Sequence, residues 1–498
     1  VPVMAQCVLA IDQGTTGTTV MVIDAGGRIR ARGYADVHQF YPRPGWVEHD
    51  ADRIYRSVVE LGRAALAKAK VRAGDLAAVG ITNQRETFVV WERKTGRPLH
   101  RAIVWQCRRS ADICDRLRDH EADVTERTGL LIDPYFSGTK LKWLLDRKPA
   151  LRRRARRGEL CFGTIDTWLI FKLSRGAAFV TDFTNASRTL MLNLDRLEWD
   201  PAMLELLDIP PEMLATPVSS RGPLAEAAAG IFGDRATPIA ASIGDQQAAL
   251  FGQGGVADGD AKVTYGTGAF LLMNTGKVRP RSHNRLISTV ALGPRGESAY
   301  ALEGSVFIAG AAVQWLRDEL KLIAKSSDTD ALAVRSTDRS APYFVPAFVG
   351  LGAPYWDSHA RGAIFGLTRG TTRADLVRAT LDSIAYQVHD VMVAMEKDSG
   401  HRIAELRVDG GAAANDYLMQ FQADLFGRPV RRPSMAETTV LGAAILAGLA
   451  AGVWRSPGDL KALRKLDRAF RPRMKSAERK HLLAGWHDAV ARTLNHPK

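Results

Sequence analysis

The sequence predicts an α/β protein made of two related domains, and three observations carry that reading. Apolar runs of strand length alternate along the whole chain with stretches of helical periodicity. A hairpin of Gly and Thr near the start, LAIDQGTTGTTVMVID (9–24), has a shorter echo in KVTYGTGAFLLMNTG (262–276). The length, 498 residues, exceeds what one hydrophobic core usually organises. The boundary is expected at 250–260, in GQGGVADGD, which divides the chain into 1–252 and 253–498.

In chain order, CVLAID and TVMVID read as paired strands. DADRIYRSVVELGRAALAKA (50–69) has apolar residues at helical spacing and an Asp at its start. LAAVGIT and TFVVWE return to strand, and RKPALRRRARRGEL (147–160) reads as a solvated helix face before a strand. LCFGTIDTWLIFKL (160–173) passes from strand to helix. In the second half, FIAGAAVQWLRDEL is helical, PYFVPAFVG is short strand, and a long helix covers 373–397. LRVDGGAAAN is a strand entering a Gly turn and a helix. TTVLGAAILAGLAAGVW (438–454) falls short of the roughly 20 apolar residues a membrane span needs. Its Gly and Ala content predicts a buried helix packed closely on a neighbour, so no membrane span is expected.

Composition narrows the function classes. Hydrophobic residues make up 46% and charged residues 24%, the balance of a soluble globular protein. No basic stretch followed by an apolar run opens the chain, so a signal peptide is not expected. Cys7, Cys107, Cys114 and Cys161 form no CxxC and have no His at ligand spacing, and they read as reduced thiols of a cytoplasmic protein. The eleven His residues include no HExxH, so zinc is not expected. The net charge of +14 raises nucleic acid as a partner. The densest basic run has no interleaved aromatics, however, and the reading is a basic surface that helps attract an anionic substrate, with no nucleic acid bound.

The chain has no GxxxxGK[ST] and neither HRD nor DFG, which excludes a P-loop enzyme and a protein kinase. GQGGVA at Gly252 follows a helix-like stretch, the wrong context for a dinucleotide site. Three Gly-rich turns remain, DQGTTGTT, TYGTGAF and VDGGAAAN, each after a β-like run. Such turns offer backbone N–H groups to phosphate oxygens, and Thr hydroxyls add donors. Together they point to a phosphate clamp, with the carboxylate of Asp12 at its lip. GITNQRETFVVWE sets Arg85 and Glu86 in a polar patch with Asn83, Gln84 and Thr87. In PIAASIGDQQAAL, Asp245 ends a strand, where open α/β sheets bind ligands. It suits a general base or an N-cap for QQAALFG, and the local sequence does not decide between them.

At these motifs the chain resembles the FGGY carbohydrate kinases, over nearly its full length. The shared stretches include DQGTT, GITNQRET, VWQCRRS, DPYFSGTKLKWLLD, FGTIDTWLIFKL, TDFTNASRTLM, GDQQAALFGQ, TYGTGAFLLMNTG, AGAAVQWLRD, GLGAPYWD, ARGAIFGLTRGT and VDGGAAANDYLMQFQADLFG. The resemblance implies two actin-like, ribonuclease H-like domains around a cleft, the first holding a polyol and the second adenosine, and a homo-oligomer, dimer or tetramer. It implies glycerol and ATP as substrates, with the phosphates between the two hairpins. By motif, Arg85, Glu86, Tyr135, Asp245 and Gln246 would contact glycerol, with Trp105 and Phe270 walling its carbon side. A ligand with a hydroxyl on every carbon needs such a density of donors and acceptors. Asp245 would take the proton of the attacking hydroxyl, and Asp12 would position Mg2+ through water. Thr15, Thr16, Gly17, Thr267, Gly310, Gln314, Gly411 and Asn415 would contact the nucleotide. Closure of the domains would exclude water. Two alternatives stay open: a related kinase acting on a pentulose, and an ATP-driven conformational or filament protein, which would have no need of Arg85, Glu86 and Asp245.

Two departures stand out. Relatives with DQGTTSSR carry Arg where this chain has Thr19. GIFGDRATPIAAS is short where some relatives bind fructose 1,6-bisphosphate, and no His lies between Trp199 and Phe251, so neither sugar-phosphate control nor His phosphorylation is expected. Function is expected to survive the loss of the Arg, because the backbone cradle and the metal remain. A protein that is inactive as it stands and gains turnover in a Thr19→Arg variant would overturn that expectation.

Overall fold

The hairpin that opens the chain becomes the centre of a six-stranded sheet. In the computed structural model, which describes residues 6–494 apart from 72, 337–341, 358, 436 and 457–465, Cys7–Gln13 pairs antiparallel with Gly17–Asp24. Ile29–Asp36 extends that side antiparallel, while Leu76–Asn83 and Thr237–Gly244 add parallel strands on the other and Arg221–Ala227 closes it antiparallel. The second hairpin, Ala261–Tyr265 with Ala269–Gly276, has Ser298–Val306 antiparallel on one side. On its other side come Leu406–Asp409 and Val430–Pro433 in parallel, then Leu466–Phe470 antiparallel. From each hairpin outward the order of pairings is the same, with Ile287–Leu292 added at the edge of the second sheet. The faint echo in sequence is thus a repeated strand topology.

Alternation along the strands decides what each face does. In Cys7–Gln13, Leu9 and Ile11 pack with Ile54, Val58 and Leu66 of the helix Ala51–Ala69. That helix starts where its sequence said it would: the Asp50 side chain accepts from the Arg53 N–H at 2.9 Å. Val8 and Ala10 face the other way, onto Ala443, Ala444 and Ala447 of the helix Thr438–Ala450. Asp12 continues this second face one step beyond the helix. In the other sheet Ala261, Val263 and Tyr265 enter the core under the helix Arg373–Ser399. By register, the opposite face carries Lys262, Leu272 and Glu303 in one row and Thr264 and Phe270 in the next. The chemistry-bearing residues of the C-terminal half therefore share one sheet face.

The helix Thr438–Ala450 is apolar almost all round because it is covered almost all round. It lies on the N-terminal sheet and crosses the helix Asp245–Gly252 at glycine. A Cβ on Gly442 would overlap the Ala248 carbonyl, and one on Gly252 the Thr438 carbonyl. The close-packed buried helix expected from its Gly and Ala content is what forms, and among the described residues no helix is long and apolar enough to cross a membrane. All four cysteines are buried.

Gly442→Ala is expected to lower stability by about 1–3 kcal/mol, the usual cost of overpacking. A melting curve reads this directly, and an unchanged midpoint would show that the crossing can relax.

Candidate active site

Arg85 and Glu86 leave the end of Leu76–Asn83 through a strained turn. Glu86 has φ +63, a left-handed conformation that costs a side-chain-bearing residue about 1–2 kcal/mol. Two contacts hold it: Ser137 Oγ donates to the Glu86 carbonyl at 2.7 Å, and Arg188 Nε donates to its carboxylate at 2.6 Å. Arg85 is buried beside it, with Nε 3.2 Å from Asp245 Oδ1. Gly244 is required here, since a Cβ would press on the Arg85 side chain at 2.8 Å.

The two roles left open for Asp245 separate in the structure. Gly244 occupies the N-cap position of the helix Asp245–Gly252, and Asp245 is its first helical residue. Its Oδ1 accepts from the Gln246 N–H at 2.7 Å. The side chain keeps 27% exposure. Burial raises its pKa above the ordinary carboxylate value, against the pull of Arg85 and Lys262. Gln246 is oriented by Lys262, whose ammonium donates to the Gln246 amide oxygen and to Thr264 Oγ1. The Gln246 NH2 therefore points its donors elsewhere.

The rings of Trp105, Tyr135 and Phe270 come together. Trp105 stands edge-on to Tyr135, ring centroids 5.4 Å apart, and to Phe270 from the C-terminal sheet at 6.2 Å. The Trp105 indole N–H donates to Thr15 Oγ1 at 2.9 Å, which leaves the Thr15 hydroxyl hydrogen for another acceptor. Beneath these rings, the buried ammonium of Lys140 donates to the carbonyls of Tyr135 at 2.9 Å, Val104 at 3.3 Å and Trp105 at 3.4 Å. Burial pulls Lys140 down to about 8.

The hairpin turn Gly14–Gly17 is closed by Gly14 N–H to Gly17 C=O at 2.8 Å. Thr16 is exposed at its tip. Gly17 has no room for a Cβ against the Tyr34 ring. Asp12, at the lip, is pushed up to about 8, by burial first and by the charge of Asp245 second. In the second hairpin the Thr267 carbonyl accepts from Ala309 and Ala311 at 2.9 and 3.0 Å, and Gly310 donates to Gly266 at 3.0 Å. This ties the start of the helix Gly310–Asp318 to the turn. Gln314 lies exposed on that helix. Gly410 takes φ +87 against the Tyr265 backbone, while a Cβ on the exposed Gly411 would meet nothing within 4 Å. Asn415 caps the helix Asp416–Phe426 by accepting from Leu418 N–H at 2.8 Å and donates to Thr329 at 3.0 Å.

Arg188, Glu303, Lys140 and Lys262 hold the site without having been assigned a role from sequence. Glu303 accepts from Arg85 at 2.5 and 3.0 Å and from Arg188 at 2.9 Å. Arg188, Lys140 and Lys262 lie inside motifs already noted, which was the available signal. Glu303 had none.

Comparison with known proteins sets this geometry in a family. Residues 7–252 match the N-terminal domain and residues 261–451 the C-terminal domain of the FGGY family of carbohydrate kinases. The chain is 53% identical over 493 residues to glycerol kinase 2 of Thermotoga maritima, covering 99% of each. It superposes on the crystal structure of Plasmodium falciparum glycerol kinase with ADP at a TM-score of 0.93, with 36% identity and 99% of each chain covered. A gluconate kinase from Lactobacillus acidophilus shares the fold at a TM-score of 0.87 and 22% identity, again over 99% of each chain.

Behind the first turn, Gln84 Nε2 donates to Gln13 Oε1 at 3.0 Å, to the Gly14 carbonyl at 3.2 Å and toward His49 Nδ1 at 3.3 Å. His49 is fully buried, and burial lowers it to about 4. The unfolded chain takes up this proton near the ordinary 6.5, and the folded chain only near 4. Stability is therefore lost as pH falls through that window. His49→Gln is expected to flatten the fall of the melting midpoint between pH 6.5 and 4; an unchanged slope would assign the loss to other groups.

Proposed function

The chain belongs to the FGGY family of carbohydrate kinases, and from that premise we propose that it phosphorylates a terminal hydroxyl of glycerol with ATP, giving sn-glycerol 3-phosphate and ADP. The observation that carries the reading is the link made by Trp105. Its ring stands edge-on to Tyr135 and Phe270, and its N–H donates to Thr15 Oγ1 in the Gly/Thr turn. An acceptor hydroxyl held beside Tyr135, Arg85 and Asp245 would face a phosphate held by that turn.

In this mechanism glycerol lies with its carbons against Trp105 and Phe270. Arg85 and the Gln246 amide donate to its oxygens, and the carboxylate of Glu86 accepts. Asp245 keeps one carboxylate oxygen against Gln246 N–H and Arg85 and turns the other to the terminal hydroxyl. As that hydroxyl oxygen bonds the γ-phosphorus and the β,γ-bridging P–O bond breaks, the proton passes to Asp245. Burial of this carboxylate makes it a stronger base than one in water. Thr15, Thr16, Gly17 and Thr267 hold phosphate oxygens from the two turns, and Gly310, Gln314, Gly411 and Asn415 line the nucleoside side.

The residues present suit Mg2+. Asp12 and Asp245 are neighbouring carboxylates whose charges oppose each other, and Mg2+ is commonly bound by one or two carboxylates with substrate phosphates and water. Asp12 would hold it through water, and when bound it would neutralise charge on the β- and γ-phosphates. Phosphoryl transfer asks chiefly for positioning and charge neutralisation, and this chain supplies the first with fixed side chains.

The test is ADP release from MgATP with glycerol, dihydroxyacetone, xylulose or no acceptor. Turnover is expected to depend on glycerol and to fall about 100- to 10,000-fold in Asp245→Asn. Preference for xylulose would move the substrate, and equal turnover without acceptor would overturn the kinase reading in favour of an ATP-driven switch.

A further inference from the structure

Glu303 stands on Ser298–Val306, in the row of the C-terminal sheet that also holds Lys262 and Leu272. It is fully buried. Its three hydrogen bonds all go to arginines of the N-terminal half: both terminal nitrogens of Arg85, at 2.5 and 3.0 Å, and NH2 of Arg188, at 2.9 Å. Arg188 in turn reaches back to Glu86 at 2.6 Å. Two arginines and two glutamates thus form a closed, buried, charge-balanced ring, and Glu303 is the member that comes from the other half.

The ring's asymmetry is its use. Arg85 and Arg188 repel each other, and within the N-terminal half Glu86 is the acid placed between them. Glu303 engages the whole terminal fork of Arg85, a two-point contact that fixes the plane of the guanidinium as well as its position. That plane leaves Nε on Asp245 at 3.2 Å. Burial would push the Glu303 carboxyl up, but Arg188 and Arg85 outweigh it and hold the group at about 2, so it stays ionised.

We infer that Glu303 is a positioning residue that sets Arg85 for the polyol only while the C-terminal half is docked, and so makes polyol binding and nucleotide binding conditional on each other. This rests on the proposed glycerol phosphorylation. The polyol contacts Arg85, and the nucleotide is held largely by the half that supplies Glu303. Each ligand then favours the docked arrangement, and by linkage each raises the affinity of the other by one common factor.

The experiment measures that factor on the full chain. Glycerol affinity is titrated by tryptophan fluorescence with and without a saturating non-hydrolysable MgATP analogue, in the wild type, Glu303→Gln and Glu303→Asp. The wild-type factor is expected to be at least about 5-fold. In Glu303→Gln it should fall to within about 2-fold of unity, with nucleotide affinity in the absence of glycerol kept within about 2-fold of wild type and Glu303→Asp in between. In turnover, with the other substrate saturating, the glycerol KM should rise about 10-fold or more and the ATP KM should rise by about the lost coupling factor. A wild type without coupling, a Glu303→Gln protein that couples like the wild type, or a parallel loss of both affinities would overturn the inference. If Glu303→Gln does not fold, Arg188→Lys, which keeps the charge but loses the two-ended bridge, should reduce coupling in the same way; unchanged coupling there would overturn it too. A wild type that releases no ADP in response to glycerol would instead overturn the function reading.

Discussion

Two arginines and two glutamates buried at one seam have to balance, and the rest of the molecule is arranged around that requirement. Arg85, Arg188, Glu86 and Glu303 are each at most 2% exposed. Taking such charges from water is costly, and removing one partner of a buried pair typically costs about 3–5 kcal/mol because the other is left uncompensated. The balance is met only with both halves in place, so the ring constrains their relative position from the side of the cleft. On the other side the constraint is steric, where the helix Thr438–Ala450 meets the helix Asp245–Gly252 through Gly442 and Gly252 with no room for a methyl group. One contact is sensitive to a change of charge, and the other to added volume.

The same period-2 alternation that makes the cores also makes the cleft. Val8 and Ala10 are core because a helix lies over them, and Asp12 is a cleft residue because the helix has ended. In the second sheet Val263 and Tyr265 go inward while Lys262, Phe270 and Glu303 go outward. A single register therefore sets both stability and chemistry, and a slip of one residue would exchange them.

Much of this was legible in the sequence where the physics is local. The Asp50 cap, both hairpins and the buried Gly/Ala helix depend on residues a few positions apart or on composition. The aromatic rings and the Arg85–Glu86–Asp245 cluster were legible through shared motifs, and they do come together. The supporting groups were not assigned, because their partners are remote: Glu303 lies 218 residues from Arg85, and Arg188 lies 102 from Glu86. No spacing rule connects such positions. Asp245 shows the limit of local reading most plainly. The N-cap role offered by its sequence belongs to Gly244, and the carboxylate is freed for the cleft by a shift of one residue.

The bond from the Trp105 indole to Thr15 has an evolutionary consequence. One hydroxyl ties the Trp105 ring to the Gly/Thr turn, and under the proposed function these serve the acceptor and the phosphates, so neither can be redesigned alone. A smaller residue at 105 that admits a bulkier acceptor also leaves Thr15 without its donor and free to rotate. Variation at these two positions should be epistatic, and new acceptor specificities on this scaffold are reached more readily by changing Tyr135 or Phe270, which pack against Trp105 without sharing its hydrogen bond.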